Sequence, residues 1–244
     1  MIKLNWHQNV AQIVLDRHET RNAFRIDDWR ALADAISVIS QAECTAVMLV
    51  SNAPRIFCSG SDITQLSLLA DDLAMRAEFR MAMAAAIEGL AGLDVPVFAA
   101  IDGACFGAGV ALALACDVRI AAPAASFCVP PAKLGISYPQ SDIARLIGAI
   151  GPGQANRLLF IAEPIGAEEA LRIGLVELLA ASPRDEALRM CLQLSTYSPA
   201  SIRSLKHGIR NAGSRNAQNL DEAFENLFGS DEFRRRTQKF RDGR

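Results

Sequence analysis

Two short stretches of small residues, FCSGSDI at 57–63 and CFGAGVA at 105–111, are the parts of this sequence best suited to do chemistry. Each follows an apolar run and precedes a helix-like pattern. Its glycines can therefore bring backbone N–H groups up to a ligand near a helix N-terminus. Two N–H groups converging from separate loops would form an oxyanion hole. Such a hole suits a carbonyl oxygen that gains charge during reaction, and each donor contributes about 3–4 kcal/mol to the transition state. The longer stretch GACFGAGVALALACD, 103–117, holds no proton-moving side chain before Asp117. It is not a dinucleotide fingerprint, because Leu112 stands where G-x-G-x-x-G needs its last glycine, and no G-K-[ST] phosphate loop is present.

Other reactive residues are few. Asp142 reads either as a general base for isomerisation or hydrolysis, or as the N-cap of a helix over 143–150. Ser61 and Ser141 have no evident histidine partner, which argues against a nucleophilic triad. His7, His18 and His207 lack zinc-ligand spacing, so no metal is expected. The six cysteines form no C-x-x-C pair and sit mostly in apolar runs, as small hydrophobes, which suggests a reducing, cytoplasmic compartment.

The elements that must position these residues follow from periodicity. Residues 2–7 and 10–16 read as a hairpin around Gln8 and Asn9. Trp29, Leu32, Ala33 and Ile36 mark an amphipathic helix. The uninterrupted apolar runs 45–50 and 95–101 read as buried parallel strands, each ending at one of the glycine stretches. A helix is expected near 72–92, short strands at 118–120 and 126–129, helices from about 140 to 173, and an almost wholly helical 182–244. Strand, loop and helix recurring in this way predict an α/β layered fold with a helical C-terminal region. The expected division is a core over 1–195 and a helical oligomerisation region over 196–244. The formal net charge of -2 points to no nucleic-acid surface, and the run Arg234–Arg236 alternates with acids as a solvated or subunit-facing helix face. Neither a signal peptide nor a membrane span is expected.

Several segments are similar, in colinear order, to the crotonase superfamily, the enoyl-CoA hydratase/isomerase family. LDRHETRNAF at 15–24 resembles L-N-R-P-x-x-R-N-A-L. Residues 57–63 resemble F-[CS]-[AS]-G-x-D-[LI]. PVFAAIDGACFGAGVALALACDVRIAAPAASF matches the family's long central motif, and GAEEALRIGLV at 166–176 resembles [ST]-A-x-E-A-L-x-x-G-L-V. The resemblance implies a crotonase-like spiral of ββα units, assembled as a homotrimer or dimer of trimers, acting on an acyl-CoA thioester as lyase or isomerase. No cofactor is implied beyond the CoA moiety itself. The amides of Ser61 and Ala108 would hold the thioester oxygen, with Ala108 replacing a usual glycine. Arg21, Ala23, Ser59, Asp62, Ile63 and Thr64 would accompany them along the CoA arm, Arg21 near its phosphates.

The resemblance also shows what is missing. The two hydratase glutamates fall at Ala111 and Pro131, and neither can transfer a proton. Tyr138, in LGISYPQSD, stands where the superfamily's methylmalonyl-CoA decarboxylases carry a tyrosine. Those relatives also lack both glutamates, although they have a histidine where this chain has Ser61. Losing CO2 produces an enolate without a base, so malonyl-type decarboxylation is the favoured expectation, with Tyr138 orienting the carboxylate. The alternatives are a non-catalytic acyl-CoA-binding or scaffold protein, and an isomerase or hydrolase using Asp142.

Overall fold

The computed structural model describes residues 1–212 and 218–242. The chain opens with the expected hairpin, β1 (Ile2–His7) and β2 (Val10–Leu15) pairing antiparallel. The amphipathic α1 (Ile26–Ser40) follows and buries Trp29, Leu32 and Ile36. A pattern then repeats three times: a strand of one sheet, a shorter strand of a second sheet, then helix. First come β3 (Ala46–Ser51), β4 (Ile56–Cys58), α2 (Ile63–Leu68) and α3 (Leu73–Gly92). Next are β5 (Val97–Ile101), β6 (Ala104–Phe106) and α4 (Ala108–Leu114). The third round is β7 (Val118–Ala121), β8 (Ser126–Cys128), a 3-10 turn over Pro131–Leu134 and α5 (Gln140–Ile161). The chain continues through β9 (Ile165–Gly166), α6 (Ala167–Ile173), β10 (Leu178–Leu179) and α7 (Pro183–Leu194). It closes with α8 (Pro199–Arg210), α9 (Gln218–Phe228) and α10 (Asp231–Arg241). This is the spiral of ββα units with a helical C-terminal region.

The larger sheet has the order β1-β2-β3-β5-β7-β10 and is parallel beyond the hairpin; the smaller has the order β4-β6-β8-β9. Both faces of the larger sheet are covered, which is why β3 and β5 read as continuous apolar runs. Side chains still alternate between faces. Ile13, Val47, Leu49 and Ala99 join Trp29 and Leu90 in one core, while Val14, Met48, Val50 and Phe98 pack with Ala187 and Cys191 of α7 in another. The segment 51–62, for which the sequence shows no strand, contains β4, a strand of three residues too short for alternation to show. In α5, Gly151 is non-helical (φ 73°) ahead of Pro152, so two helical segments meet at a kink there.

The boundary expected at residue 195 falls between α7 and α8, yet α8 is fastened to the core. Lys206 Nζ donates to the Val95 carbonyl at 2.6 Å and to Asp117 at 2.5 Å. Asp117, the one acid of the 103–117 stretch, also accepts the Val97 amide at 2.7 Å, so its role is architectural. Among the described residues no helix is long and apolar enough to cross a membrane.

Candidate active site

The first glycine loop is held by the turn before α1. The Phe24 amide donates to the Gly60 carbonyl at 2.8 Å and the Asp62 amide to the Phe24 carbonyl at 2.9 Å. This bridge uses the groups on either side of Ser61 and leaves the Ser61 N–H directed away from it. Asp62 caps α2 by accepting the Gln65 amide at 3.1 Å, and it pairs with Arg25 at 2.8 Å. Gly60 has φ 98°, and a Cβ there would lie 3.0 Å from the Phe106 carbonyl oxygen and 3.2 Å from the Ala108 amide nitrogen. Only glycine lets the two loops come this close.

The second loop is anchored by the Gly107 amide, which donates to the Cys128 carbonyl at 2.8 Å. Gly107 is the N-cap of α4 and Ala108 its first residue, so the Ala108 N–H is one of the helix's unspent donors. A Cβ on Gly109 would stand 2.6 Å from the Cys58 carbonyl oxygen, so α4 rests directly on β4. Among the described residues neither the Ser61 nor the Ala108 amide meets an acceptor. Both residues line one cavity of ≈ 560 Å³, whose walls include Leu66, Phe79, Met83 and Ile136. Among the described residues its charged lining side chains are Arg80 and Lys133, and no aspartate or glutamate lines it.

The sequence pattern of the enoyl-CoA hydratase/isomerase family matches residues 5–243. The chain belongs to this family, the crotonase superfamily. A Mycobacterium leprae protein called a probable enoyl-CoA hydratase is 30% identical over 217 residues, covering 88% of this chain and 84% of the relative. A crotonyl-CoA hydratase of Syntrophomonas wolfei is 33% identical over 177 residues, covering 72% of this chain and 67% of the relative. Among solved structures, an enoyl-CoA hydratase/isomerase family protein from Hyphomonas neptunium superposes with a TM-score of 0.94 at 30% identity, covering 100% of this chain and 95% of the other.

Within this crotonase frame, Ser59, Ser61, Ile63, Ala108 and Tyr138 come together around the cavity. The Tyr138 hydroxyl donates to the Gly107 carbonyl at 3.0 Å, beside the Ala108 amide. Burial raises the phenol's pKa well above its ordinary value, and the Asp142 charge acts in the same direction, so the phenol keeps its proton. Pro131 also lines the cavity, whereas Ala111 is buried in α4. The nearby Cys58 thiol is pushed up to about 12 by burial, which rules it out as a nucleophile at neutral pH.

The other expected residues stand elsewhere. Asp62 is spent on its cap and on Arg25, and Thr64 is exposed outside the cavity wall. Arg21 is exposed at a left-handed turn (φ 54°), with its carbonyl accepting the Ser59 amide. Ala23 is buried and its carbonyl accepts from Arg17. Asp142 is not the helix cap. Pro139 holds that position with its fixed φ, and Asp142 lies in the first turn of α5, 2% exposed and outside the cavity wall. Burial pushes its pKa up to about 6 against the opposing pull of Arg145, whose Nη1 donates to Asp142 Oδ1 at 3.1 Å.

Sequence reasoning missed Asn22. It is fully buried at φ 53°, and its Nδ2 donates to Ser51 Oγ at 2.8 Å and to the Phe57 carbonyl at 2.9 Å, while its Oδ1 accepts the Arg17 amide at 2.9 Å. One side chain thus ties the turn before α1 to the end of β3 and to β4, the strand that carries the first donor loop. The available signal was an asparagine, a residue that tolerates the left-handed region, inside R-N-A.

Proposed function

We propose that this chain binds an acyl-CoA thioester with its carbonyl oxygen on the Ser61 and Ala108 amides, and that it removes CO2 from a malonyl-type acyl group. The observation that carries the reading is a pair of unspent amides facing a cavity with no carboxylate in its wall among the described residues. Hydration across a double bond needs groups that activate water and return a proton, and Ala111 and Pro131 supply neither. Decarboxylation needs none at the first step. The bond between the α-carbon and the carboxylate breaks, and its electron pair enters the thioester as an enolate whose oxygen rests on the two amides. A proton then reaches the α-carbon from the Tyr138 hydroxyl and is replaced from water. Assembly into trimers is part of the same proposal, supported by exposed apolar side chains such as Leu205, Ile209 and Phe240 on the C-terminal helices.

A second reading, retention of acyl-CoA without chemistry, is favoured by one contact: the Tyr138 proton is already engaged by the Gly107 carbonyl. Incubating the protein with a pool of enoyl-, acyl- and malonyl-type CoA thioesters, and following each by mass, separates the two. Loss of CO2 supports decarboxylation. Gain of water across a double bond overturns it, and unchanged thioesters with tight binding establish the second reading.

A further inference from the structure

Arg80 is one of two unassigned charges of the cavity, with Lys133. It stands on α3 among Phe79 and Met83, on the apolar wall, and among the described residues it has no hydrogen-bonding or ion-pair partner. Its neighbours do. Arg76 donates to the Leu69 carbonyl at 2.6 Å. The two acids of α3 are both taken, Glu78 by Arg30 at 2.6 Å and Glu88 by Arg145. Lys133, the other cation of the wall, is likewise without a partner among the described residues. Arg80 is exposed to solvent where it lines the cavity, and a guanidinium there with no counter-ion in the protein is suited to an anion that arrives with the ligand.

We infer that Arg80 recognises a carboxylate carried on the acyl group, so that the site selects malonyl-type thioesters over neutral acyl thioesters of similar size. This rests on the thioester reading above and moves carboxylate recognition from Tyr138 to Arg80. The Tyr138 hydroxyl has a single proton, which the proposed reaction sends to the α-carbon, whereas the guanidinium fork offers two parallel N–H bonds to a carboxylate. The pair weakens as the carboxylate becomes neutral CO2, so it favours bound substrate over transition state. Arg80→Met should therefore raise KM while kcat stays unchanged or rises.

A CoA phosphate offers Arg80 the same charge, so the decisive probes come with and without phosphates. They are methylmalonyl and butyryl amides of CoA and of pantetheine, with the thioester sulfur replaced by NH so that CO2 is lost slowly. By titration calorimetry, the wild type should hold the carboxylated amide of each pair about tenfold tighter. Arg80→Met should erase that preference, and Arg80→Lys should keep part of it. Equal wild-type affinity within each pair overturns the inference, as does an equal loss for both members in Arg80→Met. A loss confined to the CoA forms would assign Arg80 to the phosphates instead. Failure of the wild type to bind either amide of CoA would sink the thioester reading itself, and this inference with it.

Discussion

In the proposed decarboxylation, the chemistry at Tyr138 depends on a single proton. The phenol stays protonated and lies in the cavity wall, so it can supply a proton but does not act as a base. Tyr138→Phe should lower turnover about a hundredfold while thioester affinity changes little. Unchanged turnover would leave the phenol as a strut for the Gly107 carbonyl. Asp142 gives the pH signature. Its folded pKa is raised, so between 3.8 and about 6 the folded chain keeps a proton that the unfolded chain releases. Stability contributed by this group is therefore full below that window and is lost as pH rises through it. Three charged or polar groups meet it: Arg145 from the next turn of α5, Glu88 from α3 and the Tyr138 phenol. Asp142→Asn removes the titration, so its melting temperature relative to wild type should climb from pH 4 to 6.5 and then level. A flat difference across that range would show that Asp142 titrates as an ordinary carboxylate.

At the scale of elements, the donor loops owe their positions to contacts made by strands of three residues. The small sheet puts β4 beside β6, and Gly109 sets α4 onto β4 at a separation no side chain would permit. Asn22 then fixes the preceding turn against β4. Asn22→Ala leaves Ser51 Oγ, the Phe57 carbonyl and the Arg17 amide without this partner in a buried setting. The expected cost is about 2–3 kcal/mol in urea unfolding, together with weaker thioester binding because the Phe24–Ser61 bridge lies two residues on. A variant as stable as wild type would show that the turn holds itself.

Across the whole molecule, the C-terminal helices are joined to the core at the rim of the large sheet. Lys206 is 6% exposed, and burial lowers its pKa while Asp117 supports its charge. His207 meets Asp94 at 2.9 Å, and Arg210 donates to the Gly92 carbonyl at 3.2 Å, covering the C-terminal end of α3. Farther along, Ser198 donates to Glu232 at 2.7 Å and Arg236 to the Thr196 carbonyl at 2.9 Å, which brings α10 back to the start of α8. Lys206→Met should cost about 3 kcal/mol and speed amide exchange in α8 well before the large sheet opens. Exchange rising equally in β3 and β5 would mean that the helix and the sheet unfold as one unit.

The sequence by itself determined the long elements and the two glycine loops, because alternation and helical periodicity are local properties that a buried sheet and an amphipathic helix must carry. The resemblance to the family, carried by the motifs around them, implies Ala111 and Pro131 as the positions of the absent hydratase glutamates. The short strands β4 and β6 carry no such periodicity, and only pairing with distant chain reveals them. Tertiary structure alone decided which charges are spent. Asp62, expected along the CoA arm, caps α2 and pairs with Arg25, and Asp117 is an anchor, while Arg80, unremarkable among twenty-five basic residues, is left facing the cavity. Whether a charged group is paired depends on neighbours far away in the chain, and no local pattern encodes that.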